Sequence, residues 1–298
     1  GFLGGQKVDF SWQAASASVA GDKPGFPDTI EWRFRAPFSR NQWLWHKGST
    51  PDMGVVMKDN GRIDNIGSLA FFLSGSNGML VVSSSEMPIY DNEFYSAMVR
   101  RTVHSASIDV SVDYELVVKK YDAGIDRFQY VSSTSMTIDG TAGSVSESYN
   151  QAWDTFNTFH IGGNGKLSSG AATQSLALDG NNLNNFSGSM MEFRIWTEVL
   201  NTASFDNHAN NPKAYDGNTI SSSYEAIVSR YSFDDDKNLN IDTSIDDVSA
   251  KTTETQDATA TGFPRNTFEP VVDRTKSQVL NLGPTKITST KLRIEDNI

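Results

Sequence analysis

Apolar and polar residues alternate along much of the chain between Ile30 and Trp196, and the period is two. In TIEWRFRAP, Ile30, Trp32 and Phe34 share one side of an extended chain, with Glu31, Arg33 and Arg35 on the other. In NQWLWHKGS the same parity puts Trp43 and Trp45 on one face and Leu44 and His46 on the other. MGVVMKDNGR ends at Asp59-Asn60-Gly61, a hairpin signal, and SLAFFLSGSNGMLVVSSS reads as two strands joined through Gly75 to Gly78. Glu86 to Val103 alternates imperfectly and reads either as an edge strand or as a loop with one helical turn. Ile108, Val110, Val112, Tyr114, Leu116 and Val118 then form one face, opposed by Asp109, Ser111, Asp113 and Glu115. Asp122-Ala123-Gly124 turns this strand into RFQYVSS, a second hairpin. Residues 139–155 read as a polar loop, FHIGG as a short strand, and FSG as a glycine step into SMMEFRIW. There Met191, Phe193 and Ile195 face one way and Glu192 and Arg194 the other, flanked by Met190 and Trp196. Before residue 200 no long amphipathic helix competes, so an all-β domain is expected.

Beyond Leu200 the pattern changes. NTASFDNHANNP reads as one or two helical turns capped by Thr202 and stopped by Asn-Asn-Pro. From Tyr224 a short helix followed by a short strand is expected, and residues 249–262, poor in large apolar side chains, read as a linker. The expected organisation is an arm or edge strand over 1–27, a β-sandwich over 28–210, a closing helix and strand over 211–248, and a linker with an extended tail over 249–298.

The order FxIGG, variable loop, FxGxxxExRIWxxxL over Phe159 to Leu200 resembles the end of laminin-G-like domains of the concanavalin A-like lectin and glucanase superfamily. TIEWRFR is similar to the opening strand of those domains, and WLWHKGS to the second; Tyr114 stands where they usually carry Trp or His. The resemblance implies a jelly-roll β-sandwich with a mostly extended C-terminal appendage. The ending TKLRIEDN resembles one found after laminin-G-like modules in large virion structural proteins of tailed phages. It implies a structural module of a tail, baseplate or fibre-like appendage, assembled in a host cytoplasm.

Charge and composition narrow the partners. The 36 acidic and 25 basic residues leave a net charge of −11, which opposes nucleic acid. There is no cysteine, so neither disulfides nor thiolate metal sites arise, and assembly in a cytosol is the simpler reading. No apolar run approaches the roughly 18 residues of a membrane span. The first residue is not Met, which reads as a processed chain or a piece of a longer one.

Each constellation that could carry chemistry has a plainer counterpart. Asp109, Asp113 and Glu115 share a strand face, as the acids of retaining glycosidases do, yet Ser111 breaks the E-x-D-x-E pattern and a solvated face is the better reading. Asp234, Asp236, Asn238, Asn240 and Asp242 alternate like half a calcium loop, but Leu239 replaces its Gly and Ile245 its Glu. The laminin-G resemblance implies a rim calcium ion, for which Asp52, Asp59 and Asn60 lie in suitable loops with no motif to select among them. Trp43, Trp45, Tyr90 and Tyr95 are aromatic residues that could stack on a sugar; Trp43 and Trp45 share a parity and read as core, and the loop residues Tyr90, Tyr149 and Trp153 are the candidate ligand-binding residues. His46, His104, His160 and His208 show no zinc spacing, His160 reading as an outward or rim side chain. G-x-S-x-G, phosphate-loop and dinucleotide motifs are absent.

The leading expectation is a non-catalytic virion structural module, with other virion proteins or further copies of itself as partners and host-surface glycan as a second contact. The alternative is a carbohydrate-binding adhesion module of a secreted or cell-surface protein. A glycoside hydrolase comes third, because the acid motif is missing.

Overall fold

The computed structural model describes residues 7–11, 27–76, 78–105, 110–139, 147–155, 157–163, 167, 176, 183–233, 244–245, 248 and 258–261. In them the alternating segments become strands: β1 (Lys7–Ser11), β2 (Thr29–Arg35), β3 (Gln42–Lys47), β4 (Met53–Asp59), β5 (Gly67–Gly75), β6 (Gly78–Ser83) and β7 (Tyr95–Ser105). Next come β8 (Val110–Asp122), β9 (Arg127–Asp139), helix α1 (Glu147–Asp154), β10 (Thr158–Ile161), β11 (Ser189–Trp196) and helix α2 (Thr202–Asn210). Helix α3 (Ser222–Glu225), β12 (Ile227–Tyr231), β13 (Ser244–Ile245) and β14 (Ala258–Thr261) complete the chain.

Two antiparallel sheets form a jelly-roll β-sandwich. One has the order β13-β14-β1-β10-β3-β4-β5-β6, the other β12-β11-β2-β7-β8-β9. Between them lies one core. Ile30, Trp32 and Phe34 of β2, Val112, Tyr114, Leu116 and Val118 of β8, and Phe193 and Ile195 of β11 face Trp45, Val55, Phe71 and Phe159 across it. Trp45 is fully buried at the centre of an aromatic cluster, with ring centroids 5.4 Å from Trp32, 5.0 Å from Phe159 and 6.4 Å from Phe193.

Two bulges alter the faces that simple alternation assigns. In β3, Trp43 pairs with Val56 but Trp45 pairs with Val55, so Leu44 is an extra residue and joins Trp45 in the core. Trp43 is thereby turned to the outer face, where it packs with Val56, Ala70, Phe72 and Leu176. In β11 the pairing with β2 slips between Met191 and Arg194, and Glu192 takes a positive φ of 53°. Met190 enters the core in place of Met191. The glycine step before β11 has a steric cause: a Cβ on Gly188 would lie 2.1 Å from the Arg35 carbonyl oxygen.

The remaining differences concern partners distant in sequence. Residues 147–154, within the stretch read as polar loop, form α1, whose Tyr149, Ala152 and Trp153 recur at helical spacing and enter the core. Buried Lys47 donates to the carbonyls of Ala152, Trp153 and Thr155 at the C-terminal end of α1. Glu86 to Val103 supplies β7, which lies between β2 and β8 rather than at an edge. β1 is interior too, between β14 and β10, and Ala258–Thr261 of the expected linker form β14. The N-cap of α2 is Asn201, one residue before Thr202, its side chain accepting from Ser204 N at 2.8 Å. Residues 262–298, and with them the expected extended tail, lie outside the described residues.

Replacing Trp45 with Ala removes ring contacts to both sheets at once. The expected loss is about 3–5 kcal/mol, seen as a lower denaturant midpoint, and a variant as stable as the parent would show that this ring does not join the sheets.

Candidate functional site

Tyr90, Tyr149 and Trp153, expected to be exposed, are all buried. The Tyr90 hydroxyl donates to Arg40 O at 2.7 Å and Trp153 Nε1 to Pro27 O at 2.6 Å, so each polar tip is satisfied inside the protein. Tyr149 lies so close to β5 that a Cβ on Gly75 would come within 2.4 Å of its ring. These three cannot form a sugar platform on the surface. Tyr95 and Trp43 are buried as well, and among the described residues the exposed aromatic ring of the large apolar side chains is Phe38, at 56%.

Asp113 and Glu115 do share the outer face of β8, but each is tied to neighbouring strands. Asp113 meets His104 at 2.7 Å and accepts from Thr137; Glu115 pairs with Arg100 at 2.6 Å and accepts from Ser133 at 2.7 Å. The Thr137 hydroxyl, followed by His104, lowers the Asp113 pKa, the opposite of what a general acid requires. Asp109 and the run Asp234 to Asp242 lie outside the described residues.

The three rim candidates are split by the fold. Asp52 precedes β4, beside Lys47, where burial raises its pKa to about 6. Asp59 ends β4, and with Asn60 it enters a cleft of about 530 Å³ lined by Lys58, Asp59, Asn60, Arg62, Ile63, Gly67, Ser68 and Glu86. The cleft sits at the turn from β4 to β5. Asp59 Oδ1 accepts from Gly61 N at 2.9 Å, and Asn60 Oδ1 accepts from Arg62 N and Ile63 N at 3.1 and 2.9 Å. Asn60 Nδ2 donates to Glu86 Oε1 at 2.9 Å, joining this turn to the segment after β6. The Phe38 loop adjoins it through Asn41, whose Oδ1 accepts from Asp59 N at 3.1 Å. Burial lowers the Lys58 pKa, against the opposing pull of Glu86.

These side chains do not fit a calcium ion. Asp59 Oδ1 and Asn60 Oδ1 are committed to backbone N–H groups, two cations share the cleft, and among the described residues no three metal-ligating side chains converge. What the cleft offers instead is an interleaved set of donors and acceptors next to one aliphatic side chain, Ile63, which is 60% exposed.

The histidines fall into three settings that their spacing conceals. His46 and His160 are cross-strand partners 4.7 Å apart, with Nδ1 of the first on Gly48 O at 2.9 Å and Nδ1 of the second on Asp9 at 2.6 Å. Burial, then the neighbouring His160, pushes the His46 pKa down to about 3. His104 is exposed, and His208 is buried in a charged cluster on the outer face of the second sheet. There Glu31 accepts from Arg194 at 2.6 Å and meets His208 Nδ1 at 2.9 Å, while Glu192 binds Arg194 at 2.7 Å and Arg230 at 2.9 Å. His208 Nε2 meets Asp216 O at 3.1 Å, so both ring nitrogens face oxygen acceptors. The cluster seats α2 on β2, β11 and β12, and its internal cavity, about 10 Å³, admits no substrate. Sequence reading placed Glu31 and Arg194 simply on polar faces; their pairing across 163 residues has no local signal.

The fold is a β-sandwich with a polar cleft at its rim. Compared with solved structures, the chain is similar to the native heptameric SAP-like pentraxin from Limulus polyphemus, at 15% identity over 74% of this chain and 90% of that one, with a TM-score of 0.37. It is also similar to the LG1-3 region of the laminin alpha2 chain, at 13% identity and a TM-score of 0.37, over 66% of this chain and only 30% of that one. No protein-family model matches the chain, and no curated protein matches it.

The charged cluster makes stability depend on acid. Burial by itself would raise the Glu31 pKa, but His208 and Arg194 more than offset it and hold the folded value at about 2, against 4.5 as the reference. The stabilisation is therefore complete above pH 4.5 and is lost as pH falls toward 2. Urea midpoints measured across that window should fall with pH, and Glu31→Gln should flatten the slope; an unchanged slope would remove Glu31 as its source.

Proposed function

We propose that this chain is a non-catalytic carbohydrate-binding adhesion module whose ligand enters the cleft at the β4–β5 rim. The observation that carries this reading is the composition of the cleft: Lys58, Arg62 and Ser68 supply donors and the Asp59 and Glu86 carboxylates supply acceptors beside exposed Ile63. A sugar presents hydroxyl groups that both donate and accept, and C–H faces that seek apolar contact. The rigid sandwich holds this loop-built site, the usual division between scaffold and recognition. Asp113 and Glu115, paired across strands, are read as parts of a solvated face and not as a catalytic dyad.

The virion reading rests on the ending TKLRIEDN, which lies outside the described residues. A tail or fibre module that touches host glycan would use the same cleft, so the two readings share one test. Among the described residues no helix is long and apolar enough to cross a membrane.

A glycan array probed with the chain should yield a defined set of ligands. Arg62→Ala should weaken binding by about tenfold or more, the worth of one hydrogen bond from a charged donor, with folding unaffected because Arg62 is exposed. EDTA should leave binding unchanged. An array without ligands, or Arg62→Ala binding at parental strength, would sink the assignment.

A further inference from the structure

Strand β9 ends the second sheet, and no strand is paired to its outer side among the described residues. It is 13 residues long, RFQYVSSTSMTID. Natural sheets protect such an edge with charges, proline or short length. Here neither proline nor any charged residue occurs between Phe128 and Ile138. The one irregularity, Gln129 inserted where Lys120 and Tyr121 follow one another on β8, leaves Tyr130 to Asp139 in regular register. Val131 is 57% exposed, and Tyr130 and Met136 are only partly buried at the margin of the core. On the same flank of the sandwich, β6 ends the other sheet, and Ser85 N donates to Ser132 Oγ at 2.9 Å between the two layers.

We propose that β9 is the interface of a homodimer, in which β9 of a second copy adds antiparallel and continues the sheet through a two-fold axis at Ser133. The strand complements itself. The strand carries Arg127 at one end and Asp139 at the other and no charge between, so antiparallel pairing brings the positive end of each copy toward the negative end of the other, the bulge at Gln129 setting Arg127 one ladder step nearer the axis than Asp139. Opposite partners in that register are Val131 with Ser135, Tyr130 with Met136 and Ser132 with Thr134, so no like charges meet. The net charge of −11 opposes association in general, but none of its acidic residues lies inside this edge. Pairing would satisfy the outward backbone groups of β9 and cover Tyr130 and Met136. It would also place two rim clefts on one particle, which raises avidity for a repeated ligand without any new contact to it. The dimer stands independently of the ligand assignment.

The absence of cysteine makes the test direct. Ser133→Cys on the two-fold axis would sit opposite its own copy at roughly 4.5–5.5 Å between Cα atoms, within disulfide reach. Under mild oxidation it should cross-link about 100-fold faster than Ile220→Cys, which is 88% exposed but lies elsewhere, as a held pair does against a free collision. Sedimentation of the cysteine-free parent chain should show a dimer that Val131→Lys with Ser135→Lys converts to monomer. Equal cross-linking rates at the two cysteines, or a parent chain that stays monomeric at every concentration, would overturn the proposal.

Discussion

The structure depends on one ring, Trp45, being in contact with both sheets at once. Its neighbours Trp32, Phe71, Phe159 and Phe193 come from β2, β5, β10 and β11, so the packing of one side chain aligns four strands. The bulge at Leu44 is what permits this. By adding a residue to β3 it sends consecutive side chains, Leu44 and Trp45, into the same core and turns Trp43 outward. The first sheet is consequently buried on both faces around β3 to β5, which accounts for the nearly unbroken apolar runs in β4 and β5.

The second sheet solves the same problem with charge. Its outer face beneath α2 carries Glu31, Glu192 and Arg194, all buried, and each acid meets a cation. Buried ion pairs contribute little net stability over an apolar surface, but losing one partner costs about 3–5 kcal/mol. The charges thus specify where α2 sits more than how tightly it is held. Lys47 acts likewise at the other layer, where its ammonium group fixes the end of α1.

Against these closed surfaces, the rim cleft and the β9 edge turn hydrogen-bonding capacity outward. The cleft has mixed donors and acceptors built on a turn whose own oxygens are occupied in shaping it. The edge has backbone groups and nearly no charge. The proposed sugar site and the proposed pairing of β9 would support one another, since recognition of a repeated ligand gains from being repeated.

The sequence by itself determined that the chain is built of β-strands, because the alternation of Ile30, Trp32 and Phe34, or of Val112 to Val118, is a property of neighbouring residues and persists whatever they pack against. It also marked the turn at Asp59-Asn60-Gly61, whose side chains shape the loop that contains them. Tertiary structure decided the rest. Whether Tyr90, Tyr149 and Trp153 face water depends on Arg40, Gly75 and Pro27, which lie far away along the chain. A single inserted residue in β3 or β11 reverses a face without any change in composition, and α1 carried its spacing at Tyr149, Ala152 and Trp153 inside a polar stretch. The pairings of Glu31 with Arg194 and of His46 with His160 exist only because strands remote in sequence become adjacent, and burial and charge take their meaning from those neighbours.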